Sequence, residues 1–408
     1  MSWPVRLLHV ADAQLDQPPR GLGTIPRELG ETLAQASLTT WERIVETAIT
    51  YQVAGVLLTG NTWVPHEASL AAEVALRQAF ERWEEHEITV WITPGPLDPP
   101  EAWDQLPELP RTVTVFTALQ EDAVELTDHG RTMALLQPVG PWLERPGPCV
   151  RQHGSNHPFI VGLWWDTGLL PPEVVPTHLL TPTVDVVCAG QQARTQGWLR
   201  PDTPVLRQHA PVAYMPDDTG PRGVTLIEID PQRRFTARPL PLSLIRREQL
   251  RIDVGTARHL DDVCDLMLGA IEQLPSIPGE MVRCIGWSLI GSARQLQPLI
   301  GEEHQAQQLL EMLTELTDQP PQLQYIHRLH PWWHSCTDVP PEEGIWRDYL
   351  ALWEQVRDQR SGDLQRIVEE LRPQAQAMPM WERSRPLLEP SQIWQEACDQ
   401  ARRWFAGL

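Results

Sequence analysis

An α/β fold is predicted from two features of the first half of the chain. Short apolar runs alternate with amphipathic helical patterns, and the connections between them are short. This order is typical of parallel strands joined by right-handed helical crossovers. In addition, Asp12, Asn61 and Asp98 follow the first three apolar runs, and parallel sheets carry their chemistry at the carboxyl ends of their strands.

The elements of the first half follow from residue periodicity. Strands are predicted at 5–10, 54–59 and 89–93, with helices at 33–51 and 69–86 between them. Further strands are predicted at 112–116, 133–139, 159–165 and 184–189. An antiparallel pair at 223–230 and 235–242 surrounds a turn at 231–234. We therefore expect a layered α/β domain over residues 1–245.

A second, smaller α+β domain is predicted over residues 246–335. A polar, arginine-bearing linker at 243–249 leads into strands at 250–254, 281–290 and 322–329, with helices at 260–274 and 303–316. Residues 336–408 form a helical C-terminal segment in this prediction. Its apolar faces either dock a partner or pack on the rest of the chain, and the tryptophans favour a partner: Trp346, Trp353, Trp394 and Trp404.

The charge of the chain excludes several kinds of chemistry. The net charge is -21 and every basic residue is arginine, so Schiff-base and P-loop lysines are excluded. An acidic surface repels phosphate backbones, and any nucleic-acid contact requires a local arginine patch or a partner. The arginine pairs at 233–234, 246–247 and 402–403 are the candidates, although such pairs usually form solvated faces.

The sequence also bears on the cellular compartment. It has no run of about 18 apolar residues, so no membrane span is expected. The first residues, MSWPVRLLHVADAQLD, indicate a strand rather than a signal peptide. The six cysteines are widely scattered, which argues against a disulfide framework and favours the cytoplasm.

Six motifs at strand ends follow one another in an order that identifies a family. They are the segments 9–15, 58–61, 94–98, 162–166, 188–193 and 219–223. Their order resembles that of the SbcD-type metallophosphoesterases, which are nuclease subunits of DNA double-strand-break processing complexes within the calcineurin-like phosphoesterase superfamily. The resemblance implies a four-layer α/β/β/α sandwich, a capping domain, and C-terminal helices that dock an SbcC-like coiled-coil ATPase.

The chain departs from that family at most metal-binding positions. The family reads D-x-H, G-D, G-N-H-D, an isolated H, and G-H-x-H, and holds two Mn²⁺ ions. Asp12 and Asp98 are retained here, and the others are replaced: Gln14, Asn61, Pro96, Leu97, Trp165, Gln191 and Ala193. Neutral groups are poor substitutes for the anionic ligands of a dication pair. The resemblance therefore implies a degenerate site without confident catalytic or metal-binding residues, at the vestigial positions Asp12, Gln14, Asn61, Asp98, Asp166 and Gln191.

Three functions stay open at this point. The favoured one is a non-catalytic, SbcD-like subunit in DNA repair or maintenance that needs no cofactor and contacts DNA through its complex. The second is a residual phosphodiesterase or DNA exonuclease that uses Mn²⁺ or Mg²⁺ near Asp12 and Asn61. The third is a stand-alone protein-interaction module. A homodimer is compatible with all three.

Two other clusters allow a metal but favour a structural role. Four carboxylates lie near predicted strand ends and are more typical of capping or solvated acids: Asp12, Asp16, Asp98 and Asp166. The segment 327–336 contains four possible zinc ligands, but their spacing is irregular and Pro331 interrupts it: His327, His330, His334 and Cys336.

Overall fold

The structure, a computed structural model, describes residues 4–22, 25, 27–65, 69–106, 109–116, 123–128, 131–139, 158–164, 184–190, 203–291, 293–317 and 323–329. Its elements in chain order are β1 (Val5–Ala11), α1 (Arg27–Ala34), α2 (Ala36–Thr50), β2 (Gly55–Thr59), α3 (Leu70–Glu85), β3 (Thr89–Thr93), α4 (Pro100–Trp103), β4 (Val113–Val115), β5 (Val124–Asp128), β6 (Arg131–Val139), β7 (Phe159–Trp164), β8 (Val186–Gly190), β9 (Val205–Gln208), β10 (Gly223–Ile229), β11 (Phe235–Pro241), β12 (Ile245–Asp253), α5 (Leu260–Glu272), β13 (Val282–Ile290), α6 (Ala293–Ile300), α7 (Glu303–Thr317) and β14 (Gln324–Leu329).

A six-stranded sheet has the order β11-β10-β1-β2-β3-β4. Strands β1 to β4 are parallel, as their alternation with helices predicts, and β10 adds antiparallel to β1. Helices α2 and α3 cover one face, where Trp41 and Trp83 pack in one buried cluster with Leu8 and Val10 of β1. The predicted helix at 33–51 is interrupted at Gln35, where ψ is 0°.

A five-stranded sheet has the order β5-β6-β7-β8-β9 and packs on the other face of the first sheet. Leu7 and Trp91 of the first sheet share one buried cluster with Val161 and Cys188 of the second. This arrangement confirms the α/β sandwich, and the described residues form three layers, one of helices and two of strands. The fourth layer stays a prediction, because most of the chain between β6, β7 and β8 is outside the described residues.

The chain divides into two compact units. The first consists of Met1–Glu248, Ser276–Cys284 and Pro321–Ile326, and the second of Gln249–Pro275, Ile285–Pro320 and His327–Leu408. Within the second unit, α5 and α7 are in contact, and Met267 and Leu309 are fully buried. The predicted division at 245 and 335 stays a prediction, and the predicted helical segment at 336–408 lies outside the described residues.

Most of the predicted linker at 243–249 belongs to a strand, so the linker prediction is wrong. Strand β12 begins at Ile245, and both Arg246 and Arg247 are buried. Arg246 forms an ion pair with Glu248, and Arg247 donates to the backbone carbonyl of Arg20 at 2.6 Å. Internal partners for both guanidinium groups make their burial tolerable.

Candidate functional site

The candidate site lies where the three central parallel strands end. Asp12 directly follows β1, Asn61 lies two residues after β2, and Asp98 lies five residues after β3. In the register of the sheet, Ala11 pairs with Thr59, and Thr59 pairs with Thr93. The three strands therefore end side by side, and their polar side chains meet at one edge of the sheet.

The backbone at this edge adopts unusual conformations. Four of the seven non-glycine residues with positive φ in the described part of the chain lie here: Asp12, Gln14, Asp16 and Asn61. Asn and Asp tolerate the left-handed region better than most residues because their side chains form local hydrogen bonds. The Asp12 N–H donates to the Gly60 carbonyl at 3.1 Å and the Gln14 N–H to the Asn61 carbonyl at 2.9 Å, which fixes the loop after β1 along the loop after β2.

Asn61 uses both polar atoms of its side-chain amide to join the loops after β1 and β3. Its Nδ2 donates to Oδ1 of Asp12 at 2.8 Å, and its Oδ1 accepts from the backbone N–H of Leu97 at 2.9 Å. The approach is close, since a Cβ atom added to Gly95 would lie 2.5 Å from Oδ1 of Asn61. The loops after β1 and β3 are thus held to one side chain.

Asp98 joins the loops after β2 and β3. Its buried carboxylate accepts three backbone N–H groups, from Asn61 at 2.9 Å, Thr62 at 2.7 Å and Gly95 at 2.6 Å. Burial raises the pKa of Asp98 from 3.8 to about 7, the three N–H groups act in the opposite direction, and the charge of Asp12 adds to the rise. Both oxygens are therefore engaged in holding backbone.

Tyr214 supports the loop after β1 and was not predicted as a site residue. Its hydroxyl donates to the Ala13 carbonyl and lies 3.2 Å from the Gln14 carbonyl. Burial raises its pKa, and nearby carboxylates including Asp12 reinforce the rise. Tyr214 lies in the loop between β9 and β10, and no motif marks it in the sequence.

The second sheet reaches the site through Gly190 at the end of β8. A Cβ atom at Gly190 would lie 3.0 Å from Oδ2 of Asp12, so a larger residue there would displace the carboxylate. Four other predicted positions at this edge lie outside the described residues: Trp165, Asp166, Gln191 and Ala193.

The residues present do not fit the pair of Mn²⁺ ions that the resemblance implies. Asp12 already accepts the Asn61 amide, Asn61 is neutral, and both oxygens of Asp98 hold backbone N–H groups. Across the described ranges, no group of three or more His, Cys, Asp or Glu side chains is placed to hold a metal ion. A dication pair needs several hard anionic ligands, and the described residues of this edge do not present them.

The other predicted clusters have structural partners. Oδ2 of Asp16 accepts the Ser69 backbone N–H at 3.0 Å at the start of α3. In the second unit, the Trp287 indole donates to Nδ1 of His327 at 3.3 Å, and burial lowers the pKa of His327 to about 4. The remaining possible zinc ligands of that segment lie outside the described residues.

The arginines at the hairpin turn are also paired. Arg233 donates to both carboxylate oxygens of Asp185 at 2.9 and 2.8 Å, and Arg234 forms an ion pair with Asp230 at 2.7 Å. These contacts agree with a structural role. The pair at 402–403 lies outside the described residues.

Comparisons with known proteins were made by sequence and by structure. No protein-family model matches the chain. The chain is 26% identical over 135 residues to the uncharacterized metallophosphoesterase YhaO of Bacillus subtilis, and this match spans 33% of the chain and 33% of that relative.

Two solved structures are similar at low scores. The protein TT1561 of Thermus thermophilus has a TM-score of 0.30 and 13% identity, covering 58% of this chain and 98% of its own. A dimetal phosphatase from Danio rerio has a TM-score of 0.30 and 10% identity, covering 59% and 99%. Among the described helices, none is long and apolar enough to cross a membrane. The sequence match supports a relationship to the metallophosphoesterases, also called calcineurin-like phosphoesterases, over one third of this chain.

Proposed function

We propose that the chain is a non-catalytic, SbcD-like subunit that acts with a coiled-coil ATPase in DNA repair or maintenance. One observation carries this proposal. At the position where the resemblance implies a bridging carboxylate, Asn61 donates its amide to Asp12 at 2.8 Å. A neutral amide therefore stands where the resemblance implies a shared anionic ligand, and the family's hydrolytic chemistry depends on two cations.

The expected proton donor is also missing. Leu97 stands where the resemblance places the acid–base histidine, and a leucine has no proton to transfer to a leaving oxygen. General acid catalysis typically contributes about 10²–10⁴ in rate. The loss of the bridging ligand and of the acid together argues against a residual nuclease.

An activity assay separates this proposal from a residual phosphodiesterase. Metal-stripped protein is supplied with Mn²⁺ or Mg²⁺ and tested on linear duplex DNA and on bis-p-nitrophenyl phosphate, beside Asp12→Ala and the exposed control Asp104→Ala. We expect equal background rates in all three. Metal-dependent hydrolysis that Asp12→Ala abolishes and Asp104→Ala retains would favour the enzyme instead.

The partner is tested by co-purification with an SbcC-like coiled-coil ATPase that is produced together with this chain. We expect full-length protein to retain the ATPase and a chain truncated before Trp346 to lose it. Replacing four tryptophans by alanine keeps the chain length and should also abolish retention of the ATPase. These residues are Trp346, Trp353, Trp394 and Trp404. Leu70→Ala, on an exposed residue of α3, is the matched control.

Two outcomes would contradict the assignment. If the truncated chain retained the ATPase as well as full-length protein does, the C-terminal segment would not be the docking element. If full-length protein never retained the ATPase, the third function, a stand-alone interaction module, would be favoured.

A further inference from the structure

The Asn61 side chain joins two loops that belong to different strands. Its Nδ2 reaches Asp12 after β1, and its Oδ1 receives the backbone N–H of Leu97 after β3. The backbone of the same residue adds two more bonds, donating to Asp98 at 2.9 Å and accepting from Gln14 at 2.9 Å. All four polar groups of Asn61 are therefore used within one site.

We infer that Asn61 is a positioning residue that replaces a metal ion as the connection between the loops after β1 and β3, so that this edge of the sheet forms without any cation. We call the pair of side-chain hydrogen bonds to Asp12 and from Leu97 the Asn61 link. The inference concerns the isolated chain and requires neither the ATPase nor DNA.

A side-chain amide matches both partners of this link. The Asp12 carboxylate requires a donor and the Leu97 N–H requires an acceptor, and an asparagine side chain offers one of each. An aspartate at 61 is an acceptor alone when ionised. It would still accept from Leu97 but would face Asp12 as a second negative charge, at the contact that is now 2.8 Å.

A dication would relieve that repulsion. Two carboxylate oxygens at close range, together with water, are sufficient to hold one Mg²⁺ or Mn²⁺ ion weakly. In the Asn61→Asp variant, the stability of this edge should therefore depend on a bound metal ion, whereas in wild type it should not. The positive φ of 46° at this residue does not prevent the exchange, because Asp and Asn both tolerate that region.

The test measures the thermal midpoint of four proteins, each after EDTA treatment and again with millimolar Mn²⁺. They are wild type, Asn61→Asp, the double variant Asp12→Asn with Asn61→Asp, and the control Gln52→Glu. The double variant exchanges the amide and the carboxylate, so the hydrogen bond is restored with its direction reversed. Gln52→Glu makes the same amide-to-carboxylate change at an exposed residue whose φ is also positive, at 50°.

In EDTA, we expect Asn61→Asp to lower the midpoint by roughly 3–10 °C, since it removes a hydrogen bond to a charged group. The double variant should recover at least half of that loss, and Gln52→Glu should match wild type. Mn²⁺ should raise the midpoint of Asn61→Asp by several degrees and leave the other three unchanged.

Three results would overturn the inference: a wild-type midpoint that rises with Mn²⁺, an Asn61→Asp midpoint equal to wild type in EDTA, or a double variant as unstable as the single one. Because the readout is stability, failure here is distinguishable from failure of the proposed function. A chain that passes this test and never retains the ATPase would refute the subunit assignment alone.

Discussion

Replacing Asp98 by asparagine should destabilise the chain through one buried backbone group. The carboxylate is fully buried, and its two oxygens divide three N–H donors between them. Oδ1 receives Asn61 and Gly95, and Oδ2 receives Thr62 at 2.7 Å. Asparagine supplies one acceptor oxygen, and its NH₂ group would then face a backbone donor.

The size of the effect follows from that geometry. The more favourable orientation keeps the oxygen toward Asn61 and Gly95 and places NH₂ against Thr62. A buried N–H is left without an acceptor, because an NH₂ group has no lone pair to offer, whereas an oxygen of a protonated carboxyl does. An unsatisfied buried group costs about 1–3 kcal/mol.

Urea unfolding at pH 4, followed by tryptophan fluorescence, measures this difference. The native Asp98 carboxyl is protonated at that pH because its pKa is about 7, so the exchange to asparagine relieves no buried charge. Asp104→Asn, an exposed aspartate six residues along the chain, is the control and should match wild type within about 0.5 kcal/mol. An Asp98→Asn protein as stable as this control would refute the reasoning.

Three further predictions concern other buried groups. Tyr214→Phe removes the donor to the Ala13 carbonyl and should lower the free energy of unfolding by about 1–2 kcal/mol in urea titrations. An unchanged urea midpoint would contradict the role given to the hydroxyl. Glu280 is paired with Arg283 at 2.7 Å, and both side chains are buried. Glu280→Gln should therefore lower the free energy of unfolding by about 3–5 kcal/mol in the same measurement. A loss below about 1 kcal/mol would argue against a buried ion pair. Burial lowers the pKa of His9 from 6.5 to about 3, so the unfolded chain binds a proton that the native chain excludes. Between pH 6.5 and 4.5, wild type should therefore lose about 2–3 kcal/mol more than His9→Leu, and equal pH slopes would show that His9 is not excluded from protonation.

Much of the fold could be predicted because burial of the central strands leaves a strong pattern. Strands β1, β2 and β3 are almost entirely buried, so each is largely apolar. Strand β9, Val205–Gln208, was missed because it is short and half polar. Helix α6 was missed because Pro298 lies inside it and argues against a helix in the sequence.

Buried charge was the main source of error in the fold. Arg246 and Arg247 looked like part of an exposed linker because charged residues are rarely buried. Their partners, Glu248 and the carbonyl of Arg20, become neighbours only through the tertiary fold. No local pattern of residues in the sequence indicates such pairing.

For the candidate site, the sequence could place residues but not their bonds. Asp12, Asn61 and Asp98 were located at strand ends, and the structure brings them together. That Asn61 contacts Asp12 and Leu97 at once depends on backbone geometry in three loops. Tyr214 is separated from the Ala13 carbonyl by 201 positions, so its contribution required the structure.

The most direct test of the central claim is a calorimetric titration of metal-stripped, full-length protein with Mn²⁺, beside Asp12→Ala. If the edge after β1, β2 and β3 is held by hydrogen bonds in place of a metal pair, neither protein should give a saturable binding heat. Micromolar binding of two ions by wild type, lost in Asp12→Ala, would contradict the account.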